Sequence, residues 1–264
     1  MSSESEIERR LMFARNVALD AAKLILSYYQ DANLAVESKR DSSPVTAADR
    51  GAEELIRAGL ATEFPQDAIL GEEFGETPGT SGFRWILDPV DGTKSFIHGV
   101  PLFGTLIGVE FEGKCVIGVC HIPALGETAW GARGLGAWWQ PAGGSVRAAR
   151  VSQTEELRDS LFCFTTVQGF ERIGRRDAFD ALIANSALAR GWGDCYGHML
   201  VATGRADLMV DPLTNIWDVA ALIPIVEEAG GRFFDWNGQT RPDSGNGIST
   251  NPKLAEQILK FTKR

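Results

Sequence analysis

Asp88 and Asp91 stand three residues apart in the segment Trp85-Ile86-Leu87-Asp88-Pro89-Val90-Asp91-Gly92-Thr93. An apolar run delivers Asp88 to its end, Pro89 fixes φ and stops the strand ladder, and Gly92 permits a tight bend. Both carboxylates can therefore point at one place, with the Val90 carbonyl between them. Like charges held that close repel unless a cation sits among them. Hard oxygen donors suit Mg²⁺ or Mn²⁺, whereas His98, His121 and His198 are scattered singly and argue against zinc. Three more acids stand in comparable places: Glu72 after the apolar Ile69-Leu70, Asp218 at a helix start, and Asp49 three residues after Thr46. Each alone is an ordinary turn former, cap or solvated strand end. Together they point to a metal centre, and the amides of Gly92 and Thr93 after the bend can cradle phosphate oxygens.

The chain around these residues has 264 residues, 44% of them hydrophobic, enough for one large domain or two fused lobes. With 26 basic and 35 acidic residues the net charge is −9, a surface that nucleic acid and anionic membranes would repel. Such a protein can bind a phosphate only by supplying positive charge locally, and metal ions are the obvious source. Cys115, Cys120, Cys163 and Cys195 form no CxxC pair and read as small core hydrophobes. The N-terminus lacks a basic segment followed by an apolar run, and no stretch is long enough to span a bilayer. A cytoplasmic protein is expected.

The elements that must position the acids follow from periodicity. Ile7, Leu11, Ala14, Ala18, Ile25 and Tyr29 recur at helical spacing, with Ser5 and Glu8 as a capping box. A second helix runs from about Thr46 to Phe64 and stops at Pro65. Ile69-Leu70, Trp85 to Leu87, Thr105 to Phe111 and Cys115 to Ile122 read as strands, the last two joined by a hairpin at Glu112-Gly113-Lys114. Glu127 to Gly131 and Ala137 to Gln140 extend the same antiparallel sheet. Gln140 to Ser145 marks a lobe boundary, giving an N-terminal lobe 1–144 and a C-terminal lobe 145–264. Beyond it, strands at Leu161 to Thr166, Leu208 to Val210, Arg232 to Asp235 and near Ile248 alternate with helices at Asp177 to Ala189, Asp194 to Thr203 and Val219 to Ala229. A last helix opens at Asn251-Pro252. The pattern predicts α/β layers.

The sequence resembles the inositol monophosphatase superfamily. Asp88-Pro89-Val90-Asp91-Gly92-Thr93, continued by Phe96, His98, Pro101 and Phe103, matches its first signature. Trp217-Asp218-Val219-Ala220-Ala221 with Glu228-Ala229-Gly230-Gly231 matches the second, and Thr46-Ala47-Ala48-Asp49 and Gly71-Glu72-Glu73 fall where the family keeps its other active-site acids. The resemblance implies a five-layer α-β-α-β-α sandwich, a homodimer, and two or three Mg²⁺ ions, with Mn²⁺ as a substitute. It implies one metal on Glu72, Asp88 and the Val90 carbonyl, a second on Asp88, Asp91 and Asp218, and a third held loosely by Glu72 through water. Thr93 and Asp49 would orient and help deprotonate the attacking water, and His98 reads as structural. The implied reaction is hydrolysis of a small phosphate monoester by in-line attack of water.

Within that superfamily the sequence is most similar to the histidinol-phosphatase branch. The resemblance rests on Lys39, Asp41, Ser43-Pro44-Val45-Thr46, Gly92-Thr93-Lys94-Ser95-Phe96 and Trp192-Gly193-Asp194-Cys195-Tyr196-Gly197. Gly92, Thr93, Asp194, Asp211 and Asp218 are the expected substrate contacts. Inositol phosphatases commonly carry a small neutral residue where Asp194 stands, and a glutamate where Asp211 stands. L-Histidinol phosphate, an ester of the histidine biosynthetic route, carries an ammonium and an imidazole that acids would favour. Asp194 could instead be a helix N-cap, Asp211 a strand-end turn and Lys94 a solvated surface lysine. Asn215-Ile216-Trp217 before the last metal acid is closer to the inositol-phosphatase pattern, and His198 stands where the histidinol branch tends to have tyrosine. The alternative reading is therefore an inositol-1-phosphate or other polyol phosphatase, and a different class is a non-catalytic relative. Degenerate ligands would mark that last case, yet Glu72, Asp88, Asp91, Thr93 and Asp218 are all present.

Overall fold

The periodic N-terminal segment forms one long helix, α1 (Ser3–Tyr28), because Ala14, Ala18, Ala21 and Ile25 line a single face that is fully buried. A computed structural model describes residues 3–38 and 44–263. Lys39, Asp41 and Ser43 lie outside the described residues. Helix α1 starts before Ser5, so Ser5 and Glu8 lie within it and do not form the expected cap.

A short antiparallel ribbon, β1 (Val36–Ser38) and β2 (Pro44–Thr46), leads into α2 (Ala47–Glu63). The expected capping box is present at α2: the Thr46 hydroxyl accepts the Ala48 N–H, and the Asp49 carboxylate accepts the Thr46 N–H. Next come β3 (Ala68–Gly71), β4 (Gly75–Thr77), β5 (Phe83–Asp91), the one-turn helix α3 (Thr93–Ile97), β6 (Gly104–Phe111) and β7 (Lys114–Ile122). Strands β8 (Glu127–Ala132), β9 (Gly136–Gln140) and β10 (Arg147–Ala148) complete a first sheet of order β10-β9-β8-β7-β6-β5-β3-β4. Its pairs are antiparallel except β3 with β5.

The rest of the chain alternates: β11 (Leu161–Phe164), α4 (Val167–Arg172), α5 (Arg176–Asn185), β12 (Leu188–Arg190), α6 (Asp194–Ala202) and β13 (Leu208–Asp211). The segment read as one helix from Val219 to Ala229 is two, α7 (Ile216–Val219) and α8 (Leu222–Glu228), followed by β14 (Arg232–Phe234), β15 (Gly247–Thr250) and α9 (Pro252–Thr262). The second sheet has the order β12-β11-β13-β15-β14, with β11 parallel to both of its neighbours.

Alternation along the strands builds the layers. Trp85 and Leu87 face a core shared with α1 and α2, while Ile86 between them faces a second core shared with α6 and α8. Met209 faces that same middle core, and Leu208 and Val210 face a third core shared with α4, α5 and α9. The result is the expected five-layer α-β-α-β-α sandwich. All four cysteines are buried free thiols, two of them in strand β7. No helix among the described residues is long and apolar enough to cross a membrane.

Candidate active site

Strand β5 does not end at Pro89. Its ladder with β6 pairs Asp88 with Leu106 and Asp91 with Gly104, so three steps on β5 answer two on β6. The extra residue is a bulge, which accommodates a proline because the unpaired position needs no N–H donor. The Pro89 carbonyl accepts the Thr105 hydroxyl at 2.9 Å. Strict alternation would place residues three apart on opposite faces, and the bulge restores Asp88 and Asp91 to one side. Asp218 arrives from the other half of the chain, in the first turn of α7, its carboxylate accepting the Asn215 N–H at 2.7 Å. One carboxylate oxygen from each of Asp88, Asp91 and Asp218 lies within 4.8 Å of the other two.

These acids resist ionisation together. Asp88 is 2% exposed and its carboxyl is pushed well above the usual range, first by burial and then by Glu72, Asp91 and Asp218. Burial likewise raises Asp91, with Asp194 and Asp218 adding to it, while the Cys195 N–H donates at 2.6 Å and partly offsets the shift. Asp218 is pushed up to about 7, chiefly by burial, despite the Asn215 amide.

Glu72 joins this group from the end of β3. Parallel pairing of Gly71 with Leu87 continues as a Glu72 N–H to Leu87 carbonyl bond of 3.1 Å, and the Glu72 side chain hydrogen-bonds Asp88. A residue missed in the sequence holds this turn. Glu53, fully buried on α2, accepts the Glu73 N–H at 2.8 Å, the Phe74 N–H at 3.2 Å and the Arg57 guanidinium at 2.7 Å. A Cβ at position 71 would overlap the Glu53 carboxylate, which is why glycine stands there. The signal was available: Glu53 is an acid among Ala48, Ala52, Ile56 and Leu60 on the buried face of a helix.

Asp49 is buried in the first turn of α2 and accepts the Thr46 hydroxyl at 2.6 Å. Burial raises its pKa, Thr46 restrains the rise and Glu72 adds to it. The Thr93 hydroxyl donates to the Val90 carbonyl at 3.0 Å and lies 3.5 Å from the Asp49 carboxylate, the partner expected for it. Gly92 precedes α3 with φ at +79°. His98 is exposed, with its Nδ1 2.8 Å from the Lys94 carbonyl.

Beside the acids lies a cavity of ≈ 460 Å³ lined by Gly92, Thr93, Lys94, Thr165, Thr166 and Asp194, among others. A neighbouring cavity of ≈ 300 Å³ shares Lys94, Thr165, Thr166 and Asp194 with it, and adds Asp91, Asp211, Asp218, Gln168 and Arg172. Asp194 is not the N-cap of α6, a position taken by Gly193. Its backbone has φ at +52°, in the left-handed region, and burial pushes its carboxyl up to about 6 while Lys94 pulls it back. Asp211 ends β13 fully inside the protein and is raised well above the usual range by burial, then by Asp194 and Asp218. Gln168 and Arg172 went unread because α4, six residues long, is too short to show a period.

The donor set fits divalent metal ions. Several buried carboxylates hold one another's protons on, and a divalent cation among their oxygens would relieve that repulsion while matching their hardness.

The model of the inositol monophosphatase family matches residues 6–263. A histidinol-phosphatase of Chlorobaculum parvum is 46% identical over 250 residues, covering 94% of this chain and 95% of that protein. A histidinol-phosphatase of Streptomyces coelicolor is 39% identical, covering 92% of each. The solved structure of an inositol monophosphatase from Zymomonas mobilis superposes with a TM-score of 0.85 at 32% identity, covering 99% of both chains.

Proposed function

This chain belongs to the inositol monophosphatase family, a metal-dependent family of phosphoric monoester hydrolases, and we propose that its substrate is L-histidinol phosphate. The products would be L-histidinol and inorganic phosphate, as in histidine biosynthesis. The observation that carries this reading is the pair Asp194 and Asp211, both lining the cavity that also contains Asp91 and Asp218. Buried carboxylates favour a leaving group that carries an ammonium and an imidazolium, whereas a neutral polyol gains less from them. The 46% identity to a histidinol-phosphatase supports the same substrate.

In this reading Glu72, Asp88 and the Val90 carbonyl would hold one ion, Asp88, Asp91 and Asp218 would hold a second, and Glu72 would help hold a third. Mg²⁺ is the proposed metal, with Mn²⁺ able to replace it. Bound divalent ions supply positive charge for the phosphoryl oxygens and lower the pKa of water. Thr93 and Asp49 would orient the attacking water, whose proton passes through the Thr93 hydroxyl to the Asp49 carboxylate, and a buried Asp49 with a raised pKa suits that task. The amides of Gly92 and Thr93 hold phosphoryl oxygens at the bend. Water attacks phosphorus in line, the ester P–O bond breaks, and the leaving alkoxide takes its proton from a solvent water. Residues 1–144 thus contribute most of the ligands, and residues 145–264 contribute Asp218 and the substrate-side acids. We further propose a cytoplasmic homodimer.

The test is phosphate release from L-histidinol phosphate and inositol-1-phosphate at equal concentration with Mg²⁺. A clear preference for the first is expected, and a preference for the second would replace this substrate with a polyol phosphate. Asn215-Ile216-Trp217 before Asp218 is the feature that favours that second reading.

A further inference from the structure

We infer that Thr165 sets the relative placement of Asp194 and Asp211 and is thereby a specificity-determining positioning residue; this rests on the reading that these two acids receive the cationic part of the ester. Thr165 follows directly on β11, and the parallel register of Phe164 with Val210 brings it beside Asp211, the next residue on β13. Its hydroxyl does two things. It accepts the Asp194 N–H at 3.0 Å, and as a hydrogen-bond donor it opposes the rise that burial imposes on the Asp211 carboxyl. A hydroxyl has one proton to give and lone pairs to receive, so one side chain serves both partners.

Asp194 needs such a partner. Its left-handed backbone, with φ at +52°, is a conformation that an L-residue with a Cβ adopts rarely. The adjoining Gly193 lies so close to Thr165 that a Cβ there would overlap the Thr165 backbone. The unusual conformation aims the Asp194 side chain back toward the bend: its Oδ2 is 3.3 Å from where a Cβ on Gly92 would stand. Thr165 also lines both cavities. Losing it would free the Asp194 backbone and leave Asp211 short of a donor, without touching Asp88, Asp91 or Asp218.

The experiment compares wild type, Thr165→Val, Thr165→Ala and Thr165→Ser on L-histidinol phosphate and inositol-1-phosphate at saturating Mg²⁺. Thr165→Val should raise KM for histidinol phosphate about tenfold, the loss of one hydrogen bond to a charged group, while kcat changes less than about twofold. KM for inositol-1-phosphate should move less than about twofold, and Thr165→Ser should restore wild-type values on both. If Thr165→Val fails to fold, the same split is expected of Thr165→Ala. Equal losses on both substrates, a fall in kcat at constant KM, or failure of serine to rescue would overturn the role. A wild type that leaves histidinol phosphate intact would instead overturn the substrate reading and this inference with it. A wild type that turns it over while both hydroxyl-less variants keep its KM would overturn the inference alone.

Discussion

The Cys195 amide donates to the Asp91 carboxylate over 2.6 Å, joining residues 104 positions apart. Asp91 stands at the end of β5 in the carboxylate cluster with Asp88 and Asp218, and Cys195 follows Asp194 at the start of α6. One hydrogen bond therefore ties the start of α6 to the acidic centre. The Cys195 side chain is buried beside Cys120 of β7, so the joint is packed as well as bonded. A helix start anchored this way leaves little freedom for Asp194 to move relative to Asp91, which suits a site that must place one substrate's two ends at once.

Asp88→Asn and Asp218→Asn should each lower phosphate release at least about a thousandfold, since losing several kcal/mol of charge stabilisation costs that much in rate. Both variants should stay folded, because each removes a buried charge that its neighbours already oppose. Thermal melts in chelator would verify the fold beside the phosphate assay. Wild-type activity in either variant would end the assignment of these residues as ligands.

Chelation should abolish activity and added Mg²⁺ restore it, and the same ions should change how stability depends on pH. The folded-state pKa values of Asp218, about 7, and Asp194, about 6, lie above the ordinary carboxylate value of 3.8. The folded chain then binds protons that the unfolded chain has lost, so the contribution of these two carboxyls to stability in chelator is fully present below about pH 4 and is lost as pH rises through about 6 and about 7. Divalent ions held by ionised Asp218 and its neighbours would oppose that fall. The Tm difference between Mg²⁺ and chelator should therefore be wider at pH 8 than at pH 5.5, by at least about 3 °C, the shift of about 1 kcal/mol in a chain of this size. A difference that narrows toward pH 8 would mean that Asp218 does not hold the metal.

The acids that meet at the centre were legible because each stands at the end of an apolar run or at a helix start, where local chemistry shows in the sequence. The layers were legible for the same reason, since Trp85, Ile86 and Leu87 announce a strand buried on both faces. What stayed hidden depends on distance. The bulge at Pro89 is defined by its partner strand β6, and nothing in Asp88-Pro89-Val90-Asp91 alone separates a bulge from a strand end. Thr165 and Arg172 enter the site through the parallel pairing of β11 and β13 and the short helix that follows, neither of which leaves a periodic trace.

Glu53→Gln should weaken Mg²⁺ binding, measured by calorimetry, by about tenfold or more. Glu53 touches none of the three clustered acids, yet it accepts two amides of the turn that carries Glu72. A neutral amide in its place forfeits two charge-assisted bonds and leaves Arg57 without its anion, each such loss being about 1.5–3 kcal/mol. Because the effect passes through Glu72, Asp218→Asn combined with Glu53→Gln should lose less metal affinity than the sum of the two single losses. Strict additivity in that double-mutant cycle would show that Glu53 supports the fold alone.

The charge of Asp194 can be tested apart from its backbone. Asparagine tolerates the left-handed region better than most residues, so Asp194→Asn keeps φ near +52° and removes only the negative charge. Asp194→Ala removes the charge and strains the backbone as well. If the carboxylate receives a cationic group, Asp194→Asn should raise KM for histidinol phosphate about tenfold or more and leave inositol-1-phosphate within about twofold of wild type. Asp194→Ala should add a stability loss, visible in the melt, to the same change in preference. Equal penalties on both substrates in Asp194→Asn would instead make Asp194 a scaffold for the Cys195–Asp91 joint, and the cationic ester would lose its strongest support.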